Sequence, residues 1–387
     1  MRVLQINIFG NLSTGKIAVD IYKTLKANGH DGAIAYARNQ IEEGVPHIVI
    51  GNKFDVYAHG IMTRLTDKTG FYSKRATLHL IDKIKEYDPD VIHLHNLHGY
   101  YINIEVLFKY LKVCGKKVIW TLHDCWPITG HCCYFDFCGC DRWKSGCFDC
   151  PQLDTYPKSL KDGSRWNYMR KKELFCGVPD MTVVSVSNWL DGIVSQSYLN
   201  KYRHVVIHNG IDLDRFKPTQ SDFRRRNGLE DKYIILGVAG EWSARKGFED
   251  FLRLADMLDE NYRIVLVGLN DKQIKRLKPN MLGIRRTNSV RELAEIYSAA
   301  DVFFNATYED NYPTVNLESI ACGTSVITYN TGGSPEGVPH GCGAVVDKGD
   351  IEAAARLMKK GLGKPDESKR VLFDKERCFR KYIDLYK

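Results

Sequence analysis

The strongest constraint on this fold is an alternation that runs along the whole chain. Short apolar runs are separated by longer stretches whose apolar residues recur every three or four positions. Runs of this kind read as strands buried on both faces, and the stretches between them as crossover helices. Repeated, the pattern specifies an α/β protein with parallel sheets. The predicted strands of the first half are Val3–Ile8, Ala33–Tyr36, His47–Ile50, Val91–Leu94, Val118–Leu122 and Thr182–Val186. Those of the second half are Val205–Ile207, Ile234–Val238, Arg263–Val267, Val302–Asn305, Ser325–Tyr329 and Ala344–Val346. Helices are expected at Lys16–Ala27, Ile104–Val113, Asn188–Ser197, Phe248–Leu258, Val290–Ala299, Thr314–Ala321 and Ile351–Lys360.

At 387 residues the chain is too long for one ordinary core and suits two. Asn209-Gly210 and Pro218 supply turn signals near residues 200–220. The expected organisation is therefore an N-terminal Rossmann-like domain over 1–205, with a cysteine-rich insert at about 125–151. A C-terminal Rossmann-like domain over 206–368 and a last helix in 369–387 follow. Two doubly wound domains facing a cleft would bind ligands beyond the carboxyl ends of their strands.

Charge and hydropathy narrow the function classes. Lysine and arginine total 55 against 47 acidic residues, for a net charge of +8. That surplus suits an anionic substrate or membrane surface but lacks the concentration of a nucleic-acid binder. No apolar run is long enough to span a bilayer. Met1-Arg2-Val3-Leu4-Gln5-Ile6 reads as an immediate strand rather than a signal peptide. The expectation is a cytoplasmic protein with peripheral contact at the inner membrane face.

The loop Gly10-Asn11-Leu12-Ser13-Thr14-Gly15-Lys16 joins the first strand to a helix. It resembles a phosphate-binding P-loop, but Ile17 stands where Ser or Thr must hold magnesium. Gly15 is instead placed at the floor of the cleft, close to the substrates. Further along, Tyr308-Glu309-Asp310-Asn311-Tyr312-Pro313 leads into the helix opened by Thr314. Its unpaired N–H groups suit a pyrophosphate, Asp310 reaches sugar hydroxyls, and Glu318 can accept from two ribose hydroxyls. Arg245 and Lys246, in a turn after a strand, would neutralise a departing diphosphate without an obligatory metal.

These features, with Ser185-Val186-Ser187-Asn188-Trp189, His208-Asn209-Gly210-Ile211-Asp212 and Leu317-Glu318-Ser319-Ile320-Ala321-Cys322-Gly323, resemble the retaining GT-B glycosyltransferases of family GT4. The sub-type is similar to enzymes that assemble bacterial capsule, O-antigen or exopolysaccharide. The resemblance implies a nucleotide-sugar donor, UDP- or GDP-linked, a saccharide or lipid-linked acceptor, no catalytic metal, and a final helix that crosses back to the N-terminal domain. It implies Glu318 on the ribose and Lys246 on the diphosphate. Asp310 stands where the family has the first of two glutamates, with Glu309 as its alternative. Glu241 stands where the family often has an arginine, and Arg245 is the compensating cation. Asn311, Pro313 and Thr314 complete the donor set, and base recognition is expected near Arg285–Asn288. His123, after a strand, matches the histidine beside the donor sugar, as an orienting group.

On the acceptor side, His95, Asn96 and Tyr100 are candidate sugar contacts. His93 and His95 are read as pointing to opposite faces of their strand, against a shared metal. Of the 12 cysteines, Cys125, Cys132, Cys133, Cys138, Cys140, Cys147 and Cys150 cluster in one insert. Cys132, Cys140, Cys147 and Cys150 have the makings of a structural zinc site, with Cys133 or Cys138 as substitute ligands and buried free thiols as the alternative. Enzymes of the resembled sub-type tend to have cysteines at the same four places. Two other function classes stay open: a metal-dependent GT-A transferase using Asp212-Leu213-Asp214, and a zinc-stapled sugar-binding or scaffold protein without turnover.

Overall fold

The computed structural model describes every residue from Met1 to Lys387. It contains two compact units, Met1–His208 with Phe379–Lys387, and Asn209–Cys378. The first holds a seven-stranded parallel sheet of β1 (Arg2–Ile6), β2 (Asp31–Tyr36), β3 (His47–Val49), β4 (Val91–Leu94), β5 (Lys117–Leu122), β6 (Met181–Ser185) and β7 (Arg203–Val206). The second holds a six-stranded parallel sheet of β8 (Tyr233–Val238), β9 (Tyr262–Val267), β10 (Met281–Ile284), β11 (Val302–Asn305), β12 (Ser325–Tyr329) and β13 (Gly343–Val346).

Strand order is β3-β2-β1-β4-β5-β6-β7 in one sheet and β10-β9-β8-β11-β12-β13 in the other. Both are doubly wound, and each reverses direction once, between β1 and β4 and between β8 and β11. At such a reversal the flanking loops diverge and leave a crevice at the strand carboxyl ends. The central strands are buried on both faces, as their unbroken Val, Ile and Leu content requires. In the second unit Phe251, Phe304 and Tyr329 anchor the core, with Phe304 edge-on to Tyr329 at 5.5 Å.

Two strand expectations need correction. The run Val205–Ile207 was assigned to the second series, but β7 pairs with β6 in the first sheet. Strand β10 has no predicted counterpart. It is a half-buried edge strand whose Gly283 interrupts the apolar signal. Five helices also go beyond the predicted set: the long Lys53–Thr66, Lys74–Tyr87 and Ser164–Phe175, and the single-turn Phe223–Arg226 and Asp271–Ile274. Of the long ones, the second carries a readable period in Thr77, Leu80, Ile81 and Ile84, its buried face. The first inverts the usual pattern. It buries His59 and Thr63 and exposes Phe54, Tyr57, Ile61, Met62 and Leu65. The final helix, Lys375–Tyr386, contributes Phe379 onward to the first unit, where Tyr386 Oη meets His93 Nδ1 at 2.6 Å and Tyr382 Oη meets Thr121 Oγ1 at 3.0 Å.

Candidate active site

In the second unit the loops leaving β8 and β11 pack backbone against backbone. Gly247 has φ 73°, and a Cβ there would lie 2.1 Å from the Ala306 carbonyl oxygen. Only glycine fits both the left-handed conformation and the approach. The contact aligns the two loops. Tyr308 N–H donates to the Arg245 carbonyl at 2.8 Å, and Arg245 Nη1 donates to the Glu309 carbonyl at 2.7 Å. Lys246 Nζ then meets Asp310 Oδ2 at 2.5 Å, with 22% and 20% of the two side chains exposed. Burial pushes the Asp310 carboxyl up, but Lys246, the hydrogen bond it gives and Arg245 outweigh this and hold it below the ordinary carboxylate range. Asp310 is the carboxylate in contact with Lys246, and Glu309, 1% exposed, is buried next to it.

Beyond Asp310, Pro313 precedes the helix Thr314–Ala321 with no side-chain cap on its first turn. Glu318 Oε2 accepts from Tyr297 Oη at 3.1 Å, and Oε1 accepts from Thr314 Oγ1 at 3.3 Å. Those bonds aim the carboxylate back along the helix toward its N-terminal turn. Asn311 is buried, and Tyr312 N–H donates to Asp310 Oδ1 at 3.3 Å. The second unit thus brings Arg245, Lys246, Glu309, Asp310, Asn311, Pro313, Thr314 and Glu318 around the carboxyl ends of β8 and β11. Glu241 lies exposed between Gly240 and the inward-facing Trp242. Arg285 Nε is paired with Asp271 at 2.6 Å on the surface.

In the first unit the corresponding crevice lies between β1 and β4. Gly15 sits in the first turn of the helix Thr14–Ala27, its N–H bonded to the Leu12 carbonyl at 2.8 Å. A Cβ there would come within 2.7 Å of the Phe9 carbonyl oxygen. The position therefore requires close backbone packing, and its N–H is already engaged. His93 and His95 do not point to opposite faces: their ring centroids are 4.1 Å apart. Successive residues alternate in a strand, so positions two apart share a face.

His95 Nε2 meets Gln5 Oε1 at 3.0 Å, and its Nδ1 meets His123 Nε2 at 3.0 Å. Burial pushes the His123 imidazole down to about 4, so the ring is neutral near pH 7. Asn96 accepts at its carbonyl from Tyr101 Oη at 2.8 Å. Tyr100 adopts φ 72°, and burial raises its phenol to about 12. A pair absent from the predicted set lies beside them. His98 Nε2 meets Asp124 Oδ2 at 2.7 Å, and His98 Nδ1 meets Tyr156 Oη at 3.0 Å. Cys133 joins His98 and Asp124, their potential ligand atoms all within 4.8 Å of one another. His98 stands in the quoted segment after β4, but its partners lie 26 and 58 residues away.

In the cysteine insert some of the thiols the spacing singled out interact. Cys132 and Cys150 share a side-chain hydrogen bond; it and burial drive the Cys132 thiol well up, while the same bond brings Cys150 down to about 7 against its burial. Cys147 Sγ accepts the Gly130 N–H at 3.2 Å, while burial raises its thiol to about 11. Cys147 is within electrostatic range of Cys140 and Cys150. Cys138 is exposed, its thiol directed to the Phe135 carbonyl. Buried Lys171 lies alongside, its amine bonded to the Trp126 and Thr129 carbonyls at 2.8 and 3.1 Å and 3.5 Å from the Trp126 ring centroid. Burial pushes that amine down to about 7 against the pull of the neighbouring cysteines, Cys133 first, and Asp67.

Two doubly wound parallel sheets with polar, charged loops at their carboxyl ends are the architecture of the GT-B glycosyltransferases that this chain matches. Residues 14–215 match the model for Glycosyltransferase Family 4, and residues 219–374 that for Glycosyl transferases group 1. The chain belongs to Glycosyltransferase Family 4. It is 24% identical over 323 residues to the putative colanic acid biosynthesis glycosyl transferase WcaC of Escherichia coli K12, covering 77% of this chain and 76% of that one. The D-inositol 3-phosphate glycosyltransferase of Corynebacterium jeikeium is 31% identical over 167 residues, 38% of this chain and 40% of that one. Among solved structures, sucrose-phosphate synthase of Thermosynechococcus elongatus superposes with TM-score 0.73 at 17% identity, over 100% and 98% of the two chains. Anabaena HepE in complex with UDP-glucose superposes with TM-score 0.67 at 14% identity, over 100% and 99%.

This fold overturns the GT-A reading. The string Asp212-Leu213-Asp214 that prompted it is a local brace: Asp212 Oδ1 accepts from Asp214 N–H at 3.0 Å and Oδ2 pairs with Lys375 at 2.8 Å. The reading as a binding or scaffold protein without turnover gives way to transferase membership.

Proposed function

We propose that this enzyme transfers a sugar, with retention, from a nucleoside-diphosphate sugar to a saccharide or lipid-linked acceptor in the synthesis of a surface polysaccharide. The observation that carries this is the Lys246–Asp310 pair at the carboxyl ends of β8 and β11, with Glu318 about one turn into the helix that follows. Lys246 and Arg245 bind the diphosphate, and the first-turn N–H groups of Thr314–Ala321 add to that field. Asp310 holds sugar hydroxyls, and Glu318 holds the ribose. As the bond from the sugar to the diphosphate breaks, the new bond to the acceptor oxygen forms on the same face. The acceptor proton passes to a diphosphate oxygen. Lys246 stabilises charge that grows on the leaving group, so it acts more strongly in the transition state than in the ground state. The UDP-glucose complex of HepE supports a nucleotide-sugar donor, and the likeness to WcaC supports an exopolysaccharide role. His95, Asn96, Tyr100 and neutral His123 line the acceptor side, and the cysteine insert is stapled by a structural zinc, for which the sequence spacing offers Cys132, Cys140, Cys147 and Cys150.

A peripheral membrane role has its own observation. Phe54, Tyr57, Ile61 and Leu65 form an exposed apolar stripe, 86%, 73%, 46% and 46% accessible, on a helix flanked by Lys53, Arg64 and Lys68. That pairing of apolar and basic residues suits an anionic lipid surface. No helix is long and apolar enough to cross a membrane.

The central test is a screen of UDP-, GDP- and ADP-sugars for turnover, followed by calorimetry on the donor it identifies. Glu318→Ala is expected to weaken donor binding at least tenfold, about 1.4 kcal/mol. Unchanged affinity would remove the ribose assignment.

A further inference from the structure

We propose that His131 supplies the nitrogen ligand of a Cys3His zinc site completed by Cys132, Cys147 and Cys150, with Asp67 holding the imidazole, and that Cys140 stands outside it. The inference rests on the reading that the cysteine insert holds a metal, and it changes the ligand set that the spacing suggested.

The first observation is an orphan. His131 Nδ1 lies 2.5 Å from Asp67 Oδ1, and both side chains are completely buried. Asp67 is locked in turn: Oδ2 accepts the Gly163 N–H at 2.9 Å, and its carbonyl accepts from Asn167 Nδ2 at 2.6 Å. Nδ1 is committed to the carboxylate, so Nε2 is the ring atom left to bind something else. Nε2 is buried and has no hydrogen-bond partner. A histidine oriented by a carboxylate through one nitrogen, with the other bare, is a common disposition of a metal-binding imidazole.

The second observation is where that ring sits. Cys132 follows it in sequence, and Cys150 lies within its electrostatic reach. Cys132 and Cys150 share their hydrogen bond, and Cys147 is within electrostatic range of both. Cys140 is half-buried on a separate stretch of the insert, where its N–H is tied to the Phe135 carbonyl at 3.1 Å, and of the three thiols it is Cys147 that feels it. Three thiolates and a neutral imidazole leave a zinc centre with one net negative charge. Lys171, buried beside Cys133, Cys147, Asp67 and Cys132, offsets part of that negative charge. Zinc accepts sulfur and nitrogen in a closed tetrahedron of this kind.

The test is zinc analysis and zinc-edge X-ray absorption on the full chain. One zinc per chain is expected, with three sulfurs at about 2.3 Å and one nitrogen at about 2.0–2.1 Å. Cys140→Ser should retain the zinc and the same spectrum. His131→Ala should lose zinc to a chelator at least tenfold faster. His131→Cys should retain it with four sulfurs, a change that a purely structural histidine would not produce. Four sulfurs in the unsubstituted protein, or metal loss in Cys140→Ser, would overturn this ligand set while keeping the metal. Protein purified without zinc and unable to take it up would overturn both.

Discussion

Replacing Lys246 with methionine keeps most of the aliphatic stem and removes the ammonium. The pair with Asp310 is about four-fifths buried by side-chain exposure. Stranding one member of a fully buried pair costs about 3–5 kcal/mol, and exposed pairs are worth at most about 1 kcal/mol. With a fifth of each side chain still wetted, the loss of unfolding free energy is expected near 2 kcal/mol. Donor binding should lose a charge-assisted hydrogen bond to phosphate, worth about 1.5–3 kcal/mol. At 1.4 kcal/mol per decade that is roughly ten- to 150-fold in Kd. The sign with pH follows from Asp310. Its folded pKa lies below the unfolded value, so the pair's contribution is present above the unfolded pKa of about 3.9 and is lost as pH falls through the folded value. The stability gap between parent and variant should therefore be widest near neutrality and close in acid. Calorimetric titration of the nucleoside diphosphate and urea melts across pH read both quantities. A variant that melts like its parent and binds the diphosphate equally well would refute the assignment.

Other outcomes follow from single contacts. Gly247→Ala should destabilise the second unit by about 2–4 kcal/mol, from the left-handed backbone and the clash with Ala306 together; a loss under 0.5 kcal/mol in a melt would show that the two loops are not locked there. His123 is held neutral by burial, its folded pKa of about 4 lying below the ordinary value of 6.5. Its stabilising contribution is full above about 6.5 and is lost as pH falls toward 4, so His123→Gln should flatten the acid limb of a stability–pH curve. An identical limb would mean that the ring takes no part in acid unfolding. Glutamates in place of Phe54 and Tyr57 should abolish co-sedimentation with vesicles rich in anionic lipid while leaving turnover of a soluble acceptor intact. Retained binding would move the membrane contact elsewhere.

Sequence alone determined what depends on near neighbours. The alternation fixed two parallel sheets, because strand burial and crossover helices are written in periods of a few residues. The helix Thr314–Ala321, the turn at Gly247 and the carboxylates Asp310 and Glu318 were legible for the same reason: proline, glycine and acidic residues mark local backbone states. Helix Lys53–Thr66 escaped because its apolar side faces out, which reverses the usual pattern. Tertiary structure alone decided which groups meet. Lys246 and Asp310 are 64 residues apart, as are Asp67 and His131, and His98 reaches Asp124 across 26. No local pattern encodes such pairings. They arise where parallel strands bring distant loops to the same edge of a sheet, and burial there makes each polar group find a partner or leaves it, like His131 Nε2, without one.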